Sequence, residues 1–183
     1  IDARSISRDE PSFRPRDVSS HPKYANSWTD PKIAILYESD RGARNVIRHS
    51  LVGPTLRSSE HVITNLQDIF EIDFSSRHPM ILWAAGRSYV RPAMAPDHLS
   101  PMLKQYKAGH GSSLFSIDLR SNQATFQWSP SAEELVMEGV HSLSGIMTDW
   151  VKENTVWVSS VSAGKTWEID TRMPCRAINS LAL

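Results

Sequence analysis

Few stretches of this sequence contain residues that could do chemistry. The best is Ser162-Ala163-Gly164-Lys165-Thr166, which ends like a loop that holds phosphates with backbone N–H groups and a lysine. Such a loop needs a glycine where Ser159 stands, and a helix whose N-terminus follows Thr166. Residues 167–170, Trp-Glu-Ile-Asp, read as a strand instead. We therefore predict a β-turn at 163–165, with Gly164 supplying a positive φ.

The other reactive side chains do not form a catalytic or metal-binding pattern. The seven histidines show neither helical metal-site spacing nor a recognisable ligand set with carboxylates. A Gly-x-Ser-x-Gly nucleophile motif is absent. Cys175 has Arg172 and Arg176 nearby but no evident histidine or asparagine partner. We expect no catalytic residue, no metal and no cofactor.

Composition narrows the class of protein further. The chain has 183 residues, formal net charge zero and one cysteine, so direct nucleic-acid contact and a disulfide framework are not expected. No apolar run approaches the roughly 18 residues that span a bilayer. The chain begins at Ile1 rather than Met, which suggests a fragment of a longer protein.

The elements that must position the side chains are short strands. Residues 1–30 are polar, and we expect a disordered or loosely docked segment. From residue 31, apolar runs of four to six residues recur between turn residues, and several alternate polar and apolar, as strands with one buried face do. The runs are Ile33–Tyr37, Asn45–Arg48, Ile69–Phe74, Met80–Ala84, Leu114–Ile117, Thr125–Trp128, Gly145–Thr148, Thr155–Val158 and Thr166–Ile169.

The strands form an internal repeat. In two copies, a strand ending in Asp-aromatic precedes a strand centred on tryptophan, Trp83 or Trp157, and then a strand closing on Asp-x-Arg. Those closing steps are Asp118-Leu119-Arg120 and Asp170-Thr171-Arg172. We match Asp73 with Asp149, place Ile35–Tyr37 in a weaker third copy at the position of Ile81–Trp83, and expect Trp157 to be buried.

This order resembles the blades of WD-repeat β-propellers. The family often has a tryptophan on the middle strand and a hydrophobic-Asp-hydrophobic-Arg step on the next, as in Ile117–Arg120, although the terminal Trp-Asp pair is absent. The resemblance implies an all-β partial propeller of about three blades over residues 31–183. Its structural repeat positions are Trp83, Asp118, Arg120, Trp157, Asp170 and Arg172.

A proline-containing insertion at about 91–111 interrupts the middle copy and is mildly basic. It is the candidate partner-binding loop. Its candidate contact residues are Arg91, Met102, Lys104, Tyr106 and Lys107.

A narrower resemblance is to the propeller subunit of the RNA polymerase I promoter-selectivity complexes. It is carried by the spacing from Asp73 through His78-Pro79 to Trp83, and by Thr166–Pro174 with its step Ile169–Pro174. It implies a non-enzymatic scaffold in transcription initiation at ribosomal RNA genes, in the nucleolus, with the TATA-binding protein (TBP) and polymerase I factors as partners. The alternatives are a generic WD-repeat adaptor in another complex, in the cytosol, and a propeller-based enzyme or ligand binder.

Overall fold

The computed structural model is all-β, and the residues that it describes form twelve strands in three four-stranded antiparallel sheets. It describes residues 13–21, 32–39, 45–49, 59–62, 66–88, 112–121, 123–131, 134, 138, 140, 143–172 and 175–182. Sheet I comprises β1 (Phe13–Ser20), β2 (Ile33–Ser39), β3 (Asn45–His49) and β4 (Ser59–Val62). Sheet II comprises β5 (Leu66–Phe74), β6 (Ile81–Ser88), β7 (Ser112–Asp118) and β8 (Gln123–Trp128). Sheet III comprises β9 (Gly145–Thr148), β10 (Thr155–Ser160), β11 (Lys165–Asp170) and β12 (Arg176–Ala182).

Each sheet is a meander in which neighbouring strands in the chain pair with one another. All nine apolar runs in the sequence lie on strands, apart from Met80 directly before β6, so their strand prediction is confirmed. The sequence did not predict β1, β4 and β12. Strand β12 is exposed along its whole length, and an outer edge strand with both faces in water needs no apolar alternation.

The segment predicted to be disordered or loosely docked contains β1, and the structure differs from the expectation there. Strand β1 pairs with β2 over Phe13–Ser20, with a register shift between Pro15 and Asp17. Proline cannot donate to a ladder and is accommodated on edge strands and at bulges, and β1 is the edge of sheet I. The polar residues that suggested disorder are used in contacts to sheet II, described below.

Two apolar clusters hold the sheets face to face. The first joins Ala34, Leu36 and Ile47 of sheet I to residues of sheet II that include Leu82 and Phe115. The second joins the opposite face of sheet II to sheet III. Its members are Trp83, Ala85, Leu114, Val140, Leu143, Ile146, Val156, Val158, Trp167 and Ile169. Sheet II is therefore buried on both faces between its neighbours, and burial of this apolar surface stabilises the stack of sheets.

The two better copies of the repeat have the same register. Trp83 pairs with Asp73 on one side and Ser116 on the other, and Trp157 pairs with Met147 and Glu168. Asp118 and Asp170 occupy one equivalent position, two residues along the third strand of each sheet from Ser116 and Glu168. The predicted equivalences of Trp83 with Trp157 and of Asp118 with Asp170 follow this register.

Two other matches made from sequence are wrong. Asp73 corresponds to Met147 and not to Asp149, because Asp73 lies opposite Trp83 while Met147 lies opposite Trp157. In sheet I, Ala34 takes the position of Trp83, because Ser19 pairs with Ala34 and contacts β5 as Asp73 contacts β9. Strand Ile33–Tyr37 is apolar throughout, so its pattern did not fix which residues face sheet II.

Candidate protein-interaction surface

The repeated register gives every sheet two comparable faces. The docking face is the one that sheets I and II turn towards the following sheet, together with the equivalent face of sheet III. It includes Ala34, Leu36 and Ile47 in sheet I, Trp83, Ala85 and Leu114 in sheet II, and Trp157, Ser159, Thr166 and Glu168 in sheet III. The receiving face is the opposite one. It includes Val18, Ile33 and Ile35 in sheet I, Ile72, Leu82 and Ala84 in sheet II, and Ile146, Val156 and Val158 in sheet III.

The first strands of consecutive sheets are joined by side chains that accept hydrogen bonds from the next sheet's exposed backbone edge. Asp17 Oδ2 accepts from the Ile72 N–H at 2.8 Å, and Glu71 Oε2 accepts from the Ile146 N–H at 3.0 Å. Strands β5 and β9 are the edges of their sheets, and unpaired edge N–H groups otherwise attract further strands. These carboxylates therefore satisfy the edge and fix the order in which the sheets stack.

A second set of contacts involves Ser19 and Asp73, which lie two residues after Asp17 and Glu71 on the same strands. Ser19 Oγ accepts from the Phe74 N–H at 3.2 Å and donates to Asp73 Oδ1 at 2.8 Å. Asp73 Oδ2 accepts from the Thr148 N–H at 2.7 Å, and Thr148 Oγ1 donates to the Phe74 carbonyl at 2.7 Å. One carboxylate, that of Asp73, thus contacts side chains or backbone from both neighbouring sheets.

The acidic residues of this array affect one another. Burial raises the pKa of Glu71 above its ordinary value of 4.5, and the nearby carboxylate of Asp17 raises it further, against the hydrogen bond from Ile146. The direction is the one expected for a partly desolvated carboxylate beside a like charge. Each carboxylate of the array accepts a hydrogen bond from a backbone N–H of the next sheet.

Sheet III differs from the other two at the equivalent positions of its first strand. Gly145 and Met147 replace the Glu71 and Asp73 of sheet II, so neither side chain can accept a hydrogen bond from a further sheet. An added Cβ at Gly145 would overlap Ser159 Oγ, so the serine side chain would have to turn away. Met147 is 60% exposed. A shallow pocket lies on this docking face. It is lined by Gly145, Ile146, Met147, Trp157, Ser159 and Thr166.

The repeat tryptophans have different environments despite their equivalence. Trp83 is buried between sheets II and III. Trp157 is half-buried on the open docking face, where its indole N–H lies 3.4 Å from Asp149 Oδ2. The expectation of a buried Trp157 is therefore wrong, because the face that carries Trp157 is not covered as the face of sheet II is.

The two Asp-x-Arg steps form the same local structure. Asp118 Oδ1 accepts from the Arg120 backbone N–H at 2.9 Å and Oδ2 from the guanidinium at 2.7 Å. Asp170 binds Arg172 in the same way. Hydrogen bonds from the arginine side chain lower the pKa of each aspartate to about 2. These residues brace the turn after the third strand of their sheets.

Glu134 connects the segment before sheet III to β11. It exchanges hydrogen bonds with Ser131, backbone N–H to side-chain oxygen in both directions, in the pattern of a capping box. Glu134 Oε1 also accepts from Lys165 Nζ at 2.7 Å and from the Trp167 indole at 2.9 Å. Burial acts to raise the pKa of Glu134, but these hydrogen bonds prevail and lower it to about 2. Lys165, the lysine of the phosphate-loop-like stretch, is therefore engaged in an ion pair.

The remaining sequence predictions concern Gly164, Cys175 and the insertion at about 91–111. Gly164 has φ of 57° in the turn between β10 and β11, as predicted. Burial raises the pKa of the Cys175 thiol, as does Asp170, and the thiol donates to Gln127 Oε1 at 3.2 Å. The candidate loop residues Arg91, Met102, Lys104, Tyr106 and Lys107 lie outside the described residues.

Within the part of the chain that the structure describes, no group of three or more histidine, cysteine, aspartate or glutamate residues has the geometry to hold a metal ion. Among these same residues, no helix has the length and apolar character needed to cross a bilayer.

Sequence reasoning missed the residues that build the inter-sheet contacts. Asp17 and Ser19 lie in the segment expected to be disordered, and Met147 was hidden by the match of Asp73 to Asp149. The available signal was the spacing of polar residues at i and i+2, Asp17/Ser19 and Glu71/Asp73, which places both on one face of a strand.

No protein-family model matches the chain, and comparison with curated proteins found no significant match.

Proposed function

We propose that this chain is part of a β-propeller that acts as a non-enzymatic scaffold for protein–protein interaction. The observation that carries the proposal is the equal register of three consecutive four-stranded meanders, stacked face to face with their first strands adjacent. Propellers are built from such sheets arranged around an axis, four to eight in a ring. Successive sheets in this chain use one docking face and one receiving face, as a ring of similar units requires.

The scaffold role is supported by where the polar side chains are used. Asp17, Glu71 and Asp73 are engaged in joining sheets, and Asp118 and Asp170 in bracing turns. Carboxylates engaged in this way are poorly placed for acid–base chemistry, which needs convergence on a substrate.

The partner class is proposed from the sequence resemblance. The spacing Asp73 to Trp83 and the step Ile169–Pro174 are similar to the propeller subunit of polymerase I promoter-selectivity complexes. A formal net charge of zero suits a subunit that contacts other proteins more than DNA. We therefore propose TBP and polymerase I factors as partners and the nucleolus as the location.

Affinity purification of the tagged chain from nuclei, with mass spectrometry of the co-purifying proteins, tests this function. Two variants serve as controls: Arg172→Ala, in an exposed side chain, and Trp83→Ala, in the core between sheets. Recovery of TBP and polymerase I subunits with wild type and Arg172→Ala, and their loss with Trp83→Ala, would support the proposal. Recovery of another stable complex would replace the polymerase I assignment with the adaptor alternative. Recovery of no protein would overturn the scaffold function and favour the ligand-binding alternative.

A further inference from the structure

We draw no further inference here: the strongest candidate, the open docking face of sheet III around Met147 and Trp157, carries none because nothing in the structure shows what covers it.

Discussion

Asp73 Oδ2 accepts a hydrogen bond from the backbone N–H of Thr148, 75 residues later in the chain, at 2.7 Å. The bond joins the first strands of sheets II and III, and the other oxygen of the same carboxylate binds Ser19 of sheet I. A single side chain therefore links three sheets, in addition to the apolar packing and the hydrogen bonds to Asp17 and Glu71. Since the Thr148 side chain is also buried, the N–H has little access to a replacement partner from solvent.

Replacing Asp73 should lower the free energy of unfolding by more than the partial exposure of its side chain suggests. Asp73→Ala leaves the Thr148 N–H without its acceptor, and unsatisfied buried groups cost about 1–3 kcal/mol. Asp73→Asn keeps one carbonyl oxygen and should lose less. Urea unfolding measures both, with Glu153→Ala in the exposed turn after β9 as the control. Equal stability of Asp73→Ala and Glu153→Ala would contradict the linking role.

The arginines of the two Asp-x-Arg steps should contribute little to stability. The side chains of Arg120 and Arg172 are 68% and 69% exposed, and exposed ion pairs are worth little because solvent screens them. Arg120→Ala and Arg172→Ala should each keep Tm within about 2 °C of wild type. A larger drop in differential scanning calorimetry would mean that the arginine acts through packing on its sheet.

The fold class follows from the sequence because the buried strands carry their own signal. Runs such as Thr155–Val158 must present apolar residues to a neighbouring sheet, and both the period and the composition report this. Strand β1 gives no such signal, because its useful residues, Asp17 and Ser19, are polar groups that bond to another sheet's backbone. Contacts of that kind depend on a partner 55 residues away, which no local pattern encodes.

The candidate site was predictable only in part, for a related reason. The equivalence of Trp83 and Trp157 is visible in the sequence, but their different burial is not, since it depends on whether another sheet covers the face. The exposed Met147 became recognisable once the strand pairing placed it opposite Trp157. Register, more than residue type, distinguishes an inter-sheet position from a surface position.

Stability should fall in acid through Glu134. Its pKa is about 2 in the folded chain against an ordinary value of 4.5, so folding favours the ionised form. That contribution is fully present above about pH 4.5 and is lost as pH falls towards 2. Glu134→Gln should reduce the slope of unfolding free energy against pH in this window. Asp118 and Asp170, whose pKa values are also about 2, should preserve part of the slope, and an unchanged slope would exclude the role of Glu134.

Glu71 should behave in the opposite sense. The pKa of Glu71 is raised in the folded chain, so as pH falls the folded state takes up a proton at a higher pH than the unfolded state does. Ionisation of Glu71 therefore lowers the free energy of unfolding as pH rises through the folded-state pKa. Glu71→Gln keeps an oxygen to accept from Ile146 and removes the charge near Asp17. This variant should therefore be at least as stable as wild type at neutral pH, whereas Glu71→Ala should be less stable. A destabilised Glu71→Gln in urea unfolding would show that the charge itself is needed.

The two equivalent tryptophans provide the most direct test of the open face. Trp83→Ala removes a side chain that is 7% exposed between sheets II and III, and large core truncations cost about 3–5 kcal/mol. Trp157→Ala, at the same register on sheet III, should cost less than about 2 kcal/mol in dilute solution, because part of the indole already contacts water.

Denaturant unfolding of both variants, each compared with wild type, measures this difference. Equal losses in dilute solution would mean that the docking face of sheet III is already buried within the single chain.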